Sequence, residues 1–370
     1  MRNTYLVVVI ALAACSQGKD AATTATDAPA PATAATLAPV EVPAGAAVST
    51  REGELPSWQI PNMGEAAEAY YGPDSLHLIA QVRNSKAIAS QRGGEGFLTT
   101  TFTDTGEDIV LVNDKGYDAC SYFFPDGERL IWTSVRDNMG DGKTLDGDWS
   151  DWEHYPQGAE LYISNRQGGD IQRLTNNNYY EAEVTVSPDG KWIVFGRQIE
   201  GNMDLWVMNA DGTGEKQITF TEDWQEGAPY FLPDSETILF RAWKASEYGQ
   251  RPTPMTIFTI KRDGTGLEPQ THTHEMNWAP YPAPDGKHFV YVRIEPNSNN
   301  WEVYLGEIGA GPDAAPRRLT FDDGFDGFPS ISPDGRKLVW TTNRSDESKA
   351  FMQNLRLHVM DVSSLDLGPK

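Results

Sequence analysis

Two cysteines and six histidines in 370 residues leave little sulfur or imidazole to build with. They exclude a disulfide-rich scaffold and a four-thiolate zinc site. Positive charge is also scarce, with 30 Lys and Arg against 53 Asp and Glu, a net charge of −23. A surface this acidic repels phosphate backbones, so no nucleic acid is expected as a partner. Charge alone also disfavours docking on anionic lipid. The apolar run Tyr5 to Ala14 has ten residues, whereas a bilayer span needs about 20. What is abundant is Gly (34), Pro (24) and aromatic residues (11 Trp, 14 Tyr, 14 Phe), a composition of short strands and tight turns.

The chain opens with a short, singly basic start (Met1, Arg2, Asn3), followed by the apolar run and then Leu12-Ala13-Ala14-Cys15. This has the length of a signal-peptide core. Small residues before a cysteine at its end resemble the bacterial lipobox. That resemblance implies a signal over residues 1–14, cleavage before Cys15, and acylation of Cys15. Buried acyl chains contribute about 0.8 kcal/mol per methylene, so three would anchor the protein firmly. Ser16, in place of the Asp that retains enteric-type lipoproteins, implies an outer-membrane location facing the periplasm. Residues 15–47 are rich in Ala, Thr and Pro with almost no large side chain, and read as a disordered tether. The folded body is expected over 48–370.

That body repeats itself. A Pro-Asp-Gly/Ser turn begins at Pro73, Pro125, Pro188, Pro233, Pro284 and Pro333, at steps of 52, 63, 45, 51 and 49 residues. Pro presets the first corner of a turn, Asp bonds back to the backbone, and Gly accepts the left-handed conformation. Each turn leads into a near-continuous apolar run such as Trp192-Ile193-Val194-Phe195, the pattern of a strand buried on both faces. A third strand and a short fourth follow, as in Leu205-Trp206-Val207-Met208 and Gln217-Ile218-Thr219. Four antiparallel strands in about 45–50 residues make one propeller blade. The expected fold is therefore all-β, a six-bladed β-propeller. The sixth unit has little chain left for a fourth strand, and an open edge invites aggregation. The segment from Leu55 to Ile60 is expected to supply that outer strand and close the ring.

The unit Glu183-Val-Thr-Val-Ser-Pro-Asp-Gly-Lys-Trp-Ile-Val-Phe195, with its continuation through Asp211-Gly212 to Thr219, resembles the WD-like repeat of the TolB-like propeller family. The resemblance covers about residues 60–362. It implies a periplasmic, protein-binding propeller. The chain departs from TolB in carrying a lipobox, and in having only the tether and about a dozen residues where TolB has an α/β domain. The motif identifies a fold rather than an activity.

Seven residues before each turn proline from the second repeat on stand Asp118, Glu181, Glu226, Asn277 and Asp326. These begin the innermost strands, so they are expected to ring one mouth of the central channel. Such a ring could bind Ca²⁺, an amine or a basic peptide. The competing reading has each acid bonding its own loop and the neighbouring blade. The insertion from Asp137 to Gln157 carries Asp137, Asp141, Asp146, Asp148, Asp151, Glu153, Trp149 and Trp152. Its partial calcium-loop spacing fails at Met139, so a solvated acidic loop is expected. His272 and His274 would share a strand face and could hold a metal, as in the manganese site of propeller-type oligogalacturonate lyases. Cys120 reads as a buried structural thiol. No Gly-x-Ser-x-Gly elbow is present. The reading that follows is a monomeric, lipid-anchored envelope protein that binds a protein, peptide or glycan. The alternative is a metal-assisted lyase or hydrolase.

Overall fold

A computed structural model describes residues 38–88, 96–139, 147–149, 151–294, 300–350 and 352–370. Cys15, the signal and most of the tether lie outside these residues, as do Asp141 and Asp146. The body over Val40–Lys370 forms six four-stranded antiparallel sheets, with three short 3₁₀ turns and no α-helix among the described residues. No described helix is long and apolar enough to cross a membrane. Counted along the chain, the six blades begin with the inner strands Ala66–Tyr71, Asp118–Phe123, Tyr180–Val186, Trp224–Phe231, Asn277–Pro282 and Asp326–Ile331.

The turn chemistry explains the repeat. Asp74 Oδ1 accepts the backbone N–H groups of Leu76 and His77 at 3.0 and 2.9 Å. Asp126, Asp234 and Asp285 do the same for the two corresponding amides. Asp189 and Asp334 each hold one. The third turn residue is left-handed in all six copies, with φ near +70° at the glycines and +57° at Ser75 and Ser235. The second strands that follow are fully buried at their centres, as at Ile131, Trp132, Val194 and Phe195. They pack blade against blade, and this apolar stacking drives assembly of the ring.

Five blades draw their outer strand from their own unit. In the sixth, the outer strand is Ser57–Gln59, which pairs antiparallel with Arg356–Asp361 in the register Ser57↔Met360 and Gln59↔His358. Trp58 and Ile60 are 2 % and 1 % exposed and pack with Val339, Leu357 and Val359. The stretch just before this strand is pinned by charge. Arg51 pairs with Asp322 at 2.5 Å. Glu54 accepts the Phe321 amide at 2.9 Å and pairs with Arg344 at 3.1 Å.

Each inner strand has a bulge at one place. The ladder to the second strand slips between Ala67 and Tyr70, Ala119 and Ser121, Ala182 and Thr185, Gly227 and Tyr230, Trp278 and Tyr281, and Gly327 and Ser330. The bulged residues are Glu68, Cys120, Glu183, Ala228, Ala279 and Phe328, all with φ between +36° and +56°. None is glycine, so each costs on the order of 1 kcal/mol in backbone strain. A bulge re-aims a side chain, and here it turns one residue per blade towards the axis.

Candidate functional site

Those six bulged residues line a central cavity of about 760 Å³. Its floor is lined by Tyr70 and Tyr230, backed by Tyr122 and Tyr281; the four stand two residues further along the inner strands of blades 1, 2, 4 and 5. Tyr230 donates its hydroxyl to Tyr70 at 2.7 Å, and the Tyr122 and Tyr281 hydroxyls meet at 3.2 Å. Neighbouring ring centroids lie 4.9–6.3 Å apart, so the four phenols pack across the axis and close it. Burial raises the pKa of each phenol, which keeps them neutral hydrogen-bonding groups.

The cavity opens on the face carrying the long connections between second and third strands. Described residues of the blade 2 insertion, among them Trp149 and Tyr155, line this mouth. Trp149 stacks on Tyr117 with centroids 5.6 Å apart, and Tyr155 stacks on Tyr180 at 4.3 Å. Trp152 reaches across to Trp243 and Tyr248 of blade 4 at 5.3 and 5.6 Å. The segment was expected to be a solvated acidic loop; its described part instead places aromatic side chains at the entrance. Asp137 meets Lys115 and Tyr162, and Asp151 caps the short 3₁₀ turn and pairs with His154.

Inside, the charges are uneven. Arg83 pairs with Glu65 at 2.7 Å, and Arg241 with Glu183 at 2.9 Å. Glu183 also accepts the Ala228 amide at 2.7 Å. Glu68 hydrogen-bonds with Cys120, and burial together with the nearby Glu183 pushes its pKa up to about 7. Its Oε2 is buried and takes no hydrogen bond among the described residues. Blades 4–6 present Ala228, Ala279 and Phe328 at the matching positions, with Trp278 and Trp301 beside them. One side of the cavity is therefore acidic and the other apolar. Cys120, expected to be a buried structural thiol, is partly exposed along this wall, and its pKa is raised by burial and by the two neighbouring glutamates.

The structure places the five expected mouth residues elsewhere. Asp118, Glu181, Glu226, Asn277 and Asp326 are at most 3 % exposed, and none lines the cavity. Asp118 accepts from the Thr99 amide and the Asn113 side chain at 2.8 and 2.7 Å. Glu181 pairs with Arg197 and takes the Asn177 amide group. Glu226 takes the Thr221 hydroxyl, and Asn277 donates to the Met255 carbonyl at 2.9 Å. Asp326 accepts from Trp340 Nε1 at 2.8 Å and pairs with Arg344 at 3.0 Å. Asp118, Glu181, Glu226 and Asn277 are tied to the blade before or the connection from it, Glu181 and Asp326 to arginines of their own blade, and none lines the cavity as a ligand for Ca²⁺. The cause is the bulge, which lies two residues downstream and breaks the alternation that would have sent these side chains to the channel. His272 and His274 do not converge. His272 Nε2 meets the Ala310 carbonyl at 3.0 Å, while exposed His274 lies 3.8 Å from Glu247. Among the described residues no three His, Cys, Asp or Glu side chains are grouped to hold a metal.

These carboxylates set an expected pH optimum of stability. The turn residues Asp74, Asp126, Asp189, Asp234 and Asp285 have lowered pKa values from the amides and side chains they accept. Their contribution is present above the unfolded value near 3.9 and is lost as pH falls through the folded values. Burial acts in the opposite direction on Asp118, pushed up to about 6, and on Glu226 and Glu302, pushed up to about 8. A carboxyl whose folded pKa is raised binds more protons folded than unfolded. Its contribution is full below the unfolded pKa and declines as pH rises towards 8. The melting temperature is expected to peak between about pH 4.5 and 5.5 and to fall by several degrees at pH 8, as calorimetry would show. A flat profile from pH 5 to 8 would contradict these assignments.

Comparison with known proteins agrees with this geometry. The Tricorn protease N-terminal β-propeller domain matches residues 156–313. An uncharacterized protein of Agrobacterium fabrum is 25 % identical over 291 residues, covering 76 % of this chain and 86 % of its own. Tol-Pal system protein TolB of Anaeromyxobacter dehalogenans is 33 % identical over 135 residues, 36 % of this chain and 26 % of that protein. The solved structure of a TolB from Acinetobacter baumannii superposes with a TM-score of 0.55 at 18 % identity, covering 79 % of this chain and 65 % of that one. This chain has the fold of the TolB-like β-propellers and is similar to them in sequence. The ring also superposes on an oligogalacturonate lyase in complex with manganese, with a TM-score of 0.56 at 13 % identity over 86 % of this chain and 96 % of that one. That likeness concerns the fold alone.

Proposed function

We propose that this TolB-like chain is a lipid-anchored binding protein of the bacterial cell envelope, held in the outer membrane through Cys15 and facing the periplasm. It receives a protein or peptide partner at the mouth of its central cavity. The observation that carries this reading is the cavity itself. A closed-bottomed space of about 760 Å³ with an aromatic entrance and buried polar groups is the form that binding sites take. The lipobox sequence and the long Ala/Thr/Pro segment support the anchor and tether. The TolB relatives, named as Tol-Pal system proteins, support an envelope partner.

Two measurements test it. Mass spectrometry of the membrane-extracted protein is expected to find acyl chains on Cys15. A photo-crosslinking residue at Tyr155, beside the mouth, is expected to capture one defined envelope partner in intact cells. The same residue at Asp211, in the turn on the opposite face, should not. Purified partner and chain should then bind at a site blocked by the Tyr155 adduct. Equal capture from both faces, or none at the mouth, would reject the cavity as the site.

A further inference from the structure

Resting on the cavity as the binding site, we infer that it seats a protonated primary amine, a lysine side chain or a chain N-terminus, against Glu68. The argument begins with charge balance. Of the cavity carboxylates, Glu65 has Arg83 and Glu183 has Arg241. Glu68 has no basic side chain paired with it among the described residues, and its Oε2 is buried without a donor. A buried carboxylate without a balancing cation is costly, and a ligand cation supplies what is missing.

The geometry narrows the cation. Glu68, Cys120 and Glu183 are the bulged residues of three consecutive blades, each held at positive φ. Cys120 already bonds the Glu68 carboxylate, while its Oε2 takes no donor among the described residues. A guanidinium fork matches two carboxylate oxygens, whereas an ammonium is a compact point charge that one oxygen can serve. The walls suit what surrounds an amine. Tyr117, Trp149 and Tyr180 offer aromatic surface near the entrance, where a cation is attracted to ring faces. Ala228, Ala279 and Phe328 form the opposite side, against which a methylene stem packs.

Amine binding must therefore be linked to protons. The groups facing Glu68 are Glu183 and Cys120, which hold its proton on or bond to it, Tyr70 beneath, and the two ion pairs Arg83–Glu65 and Arg241–Glu183 across the cavity. The amine binds the ionised carboxylate, so affinity is full above the Glu68 pKa of about 7 and falls about tenfold per pH unit below it.

The test uses three small probes on the whole chain, followed by calorimetry or NMR: Nα-acetyl-lysine methylamide, alanyl-leucinamide, and neutral Nα-acetyl-norleucine methylamide. The lysine and N-terminal probes separate the two sources of amine. At least one is expected to bind ten times tighter than the norleucine probe at pH 7.5, and to weaken by tenfold or more at pH 5.5. Glu68→Gln, nearly isosteric, is expected to lose tenfold at pH 7.5 and to flatten the pH profile. If that variant fails to fold, the pH profile of the unmodified chain decides. Equal binding of the norleucine probe, no binding of either amine, or a pH-independent affinity would overturn the inference. Partner capture at Tyr155 without amine binding would leave the cavity as the site and remove only the amine. Amine binding without capture would do the reverse.

Discussion

Arg344→Ala is expected to lower the free energy of unfolding by about 3–5 kcal/mol, the usual loss when one partner of a buried ion pair is removed. The Arg344 side chain is 8 % exposed and lies between two carboxylates, Glu54 and Asp326, whose side chains are fully buried. Its guanidinium also covers the Trp340 ring at 4.9 Å from the centroid. Without it, Glu54 and Asp326 face each other with no cation between them, and protonation becomes the cheapest remedy. The loss is therefore expected to be smaller at pH 5 than at pH 8, in urea unfolding at both values. Arg344→Lys restores the charge but not the fork that reaches both carboxylates, and should recover only part of the loss. A change under 1 kcal/mol at both pH values would show that this network does not hold the N-terminal stretch to the sixth blade.

Removing residues 40–60 is expected to have the second large effect, because it takes away the outer strand of the sixth blade. Burying Trp58 and Ile60 contributes about 1.5–3 kcal/mol each. The Glu54–Arg344 pair and the backbone ladder to Arg356–Asp361 go with them. A loss of about 5 kcal/mol corresponds, for a body of this size, to a fall in melting temperature of about 7 °C. The freed Arg356–Asp361 strand becomes an unpaired edge, a template for pairing with another chain. Differential scanning calorimetry should report the fall, and size-exclusion chromatography should report aggregates. A synthetic peptide of residues 40–60 added in trans should restore part of both. An unchanged melt and elution volume would show that the ring holds without this strand.

The repeat was legible because its chemistry is local. Pro, Asp and Gly act within four residues, and Asp74 or Asp234 caps the same amides wherever the turn occurs. The site was harder to read because it depends on the bulge. Asp118 to Asp326 begin or lie near the starts of the inner strands, as expected, but beginning the innermost strand did not bring their side chains to the channel. The channel residues are instead Glu68, Cys120 and Glu183, and no glycine marks their left-handed backbone. One signal was present. The position five before each turn proline is chemically varied, unlike the apolar runs after the turn, which is how a ring of ligand-facing positions differs from a core. Trp149 and Trp152 were visible in the insertion, but their partners Tyr117, Trp243 and Tyr248 lie tens of residues away in sequence. No local pattern could aim them at the entrance.

The tyrosine floor bears on what kind of partner can be read. A propeller open from face to face would let an extended polypeptide thread through it. With the hydroxyls of Tyr70 and Tyr230, and of Tyr122 and Tyr281, in contact across the axis, the passage is a cul-de-sac. A visiting chain can offer only an extremity, a terminus or the apex of a bend, and must leave by the way it came. Recognition in such a blind well depends on how far a protruding tip reaches, so shortening that tip by one or two residues would disengage it without altering any surface outside.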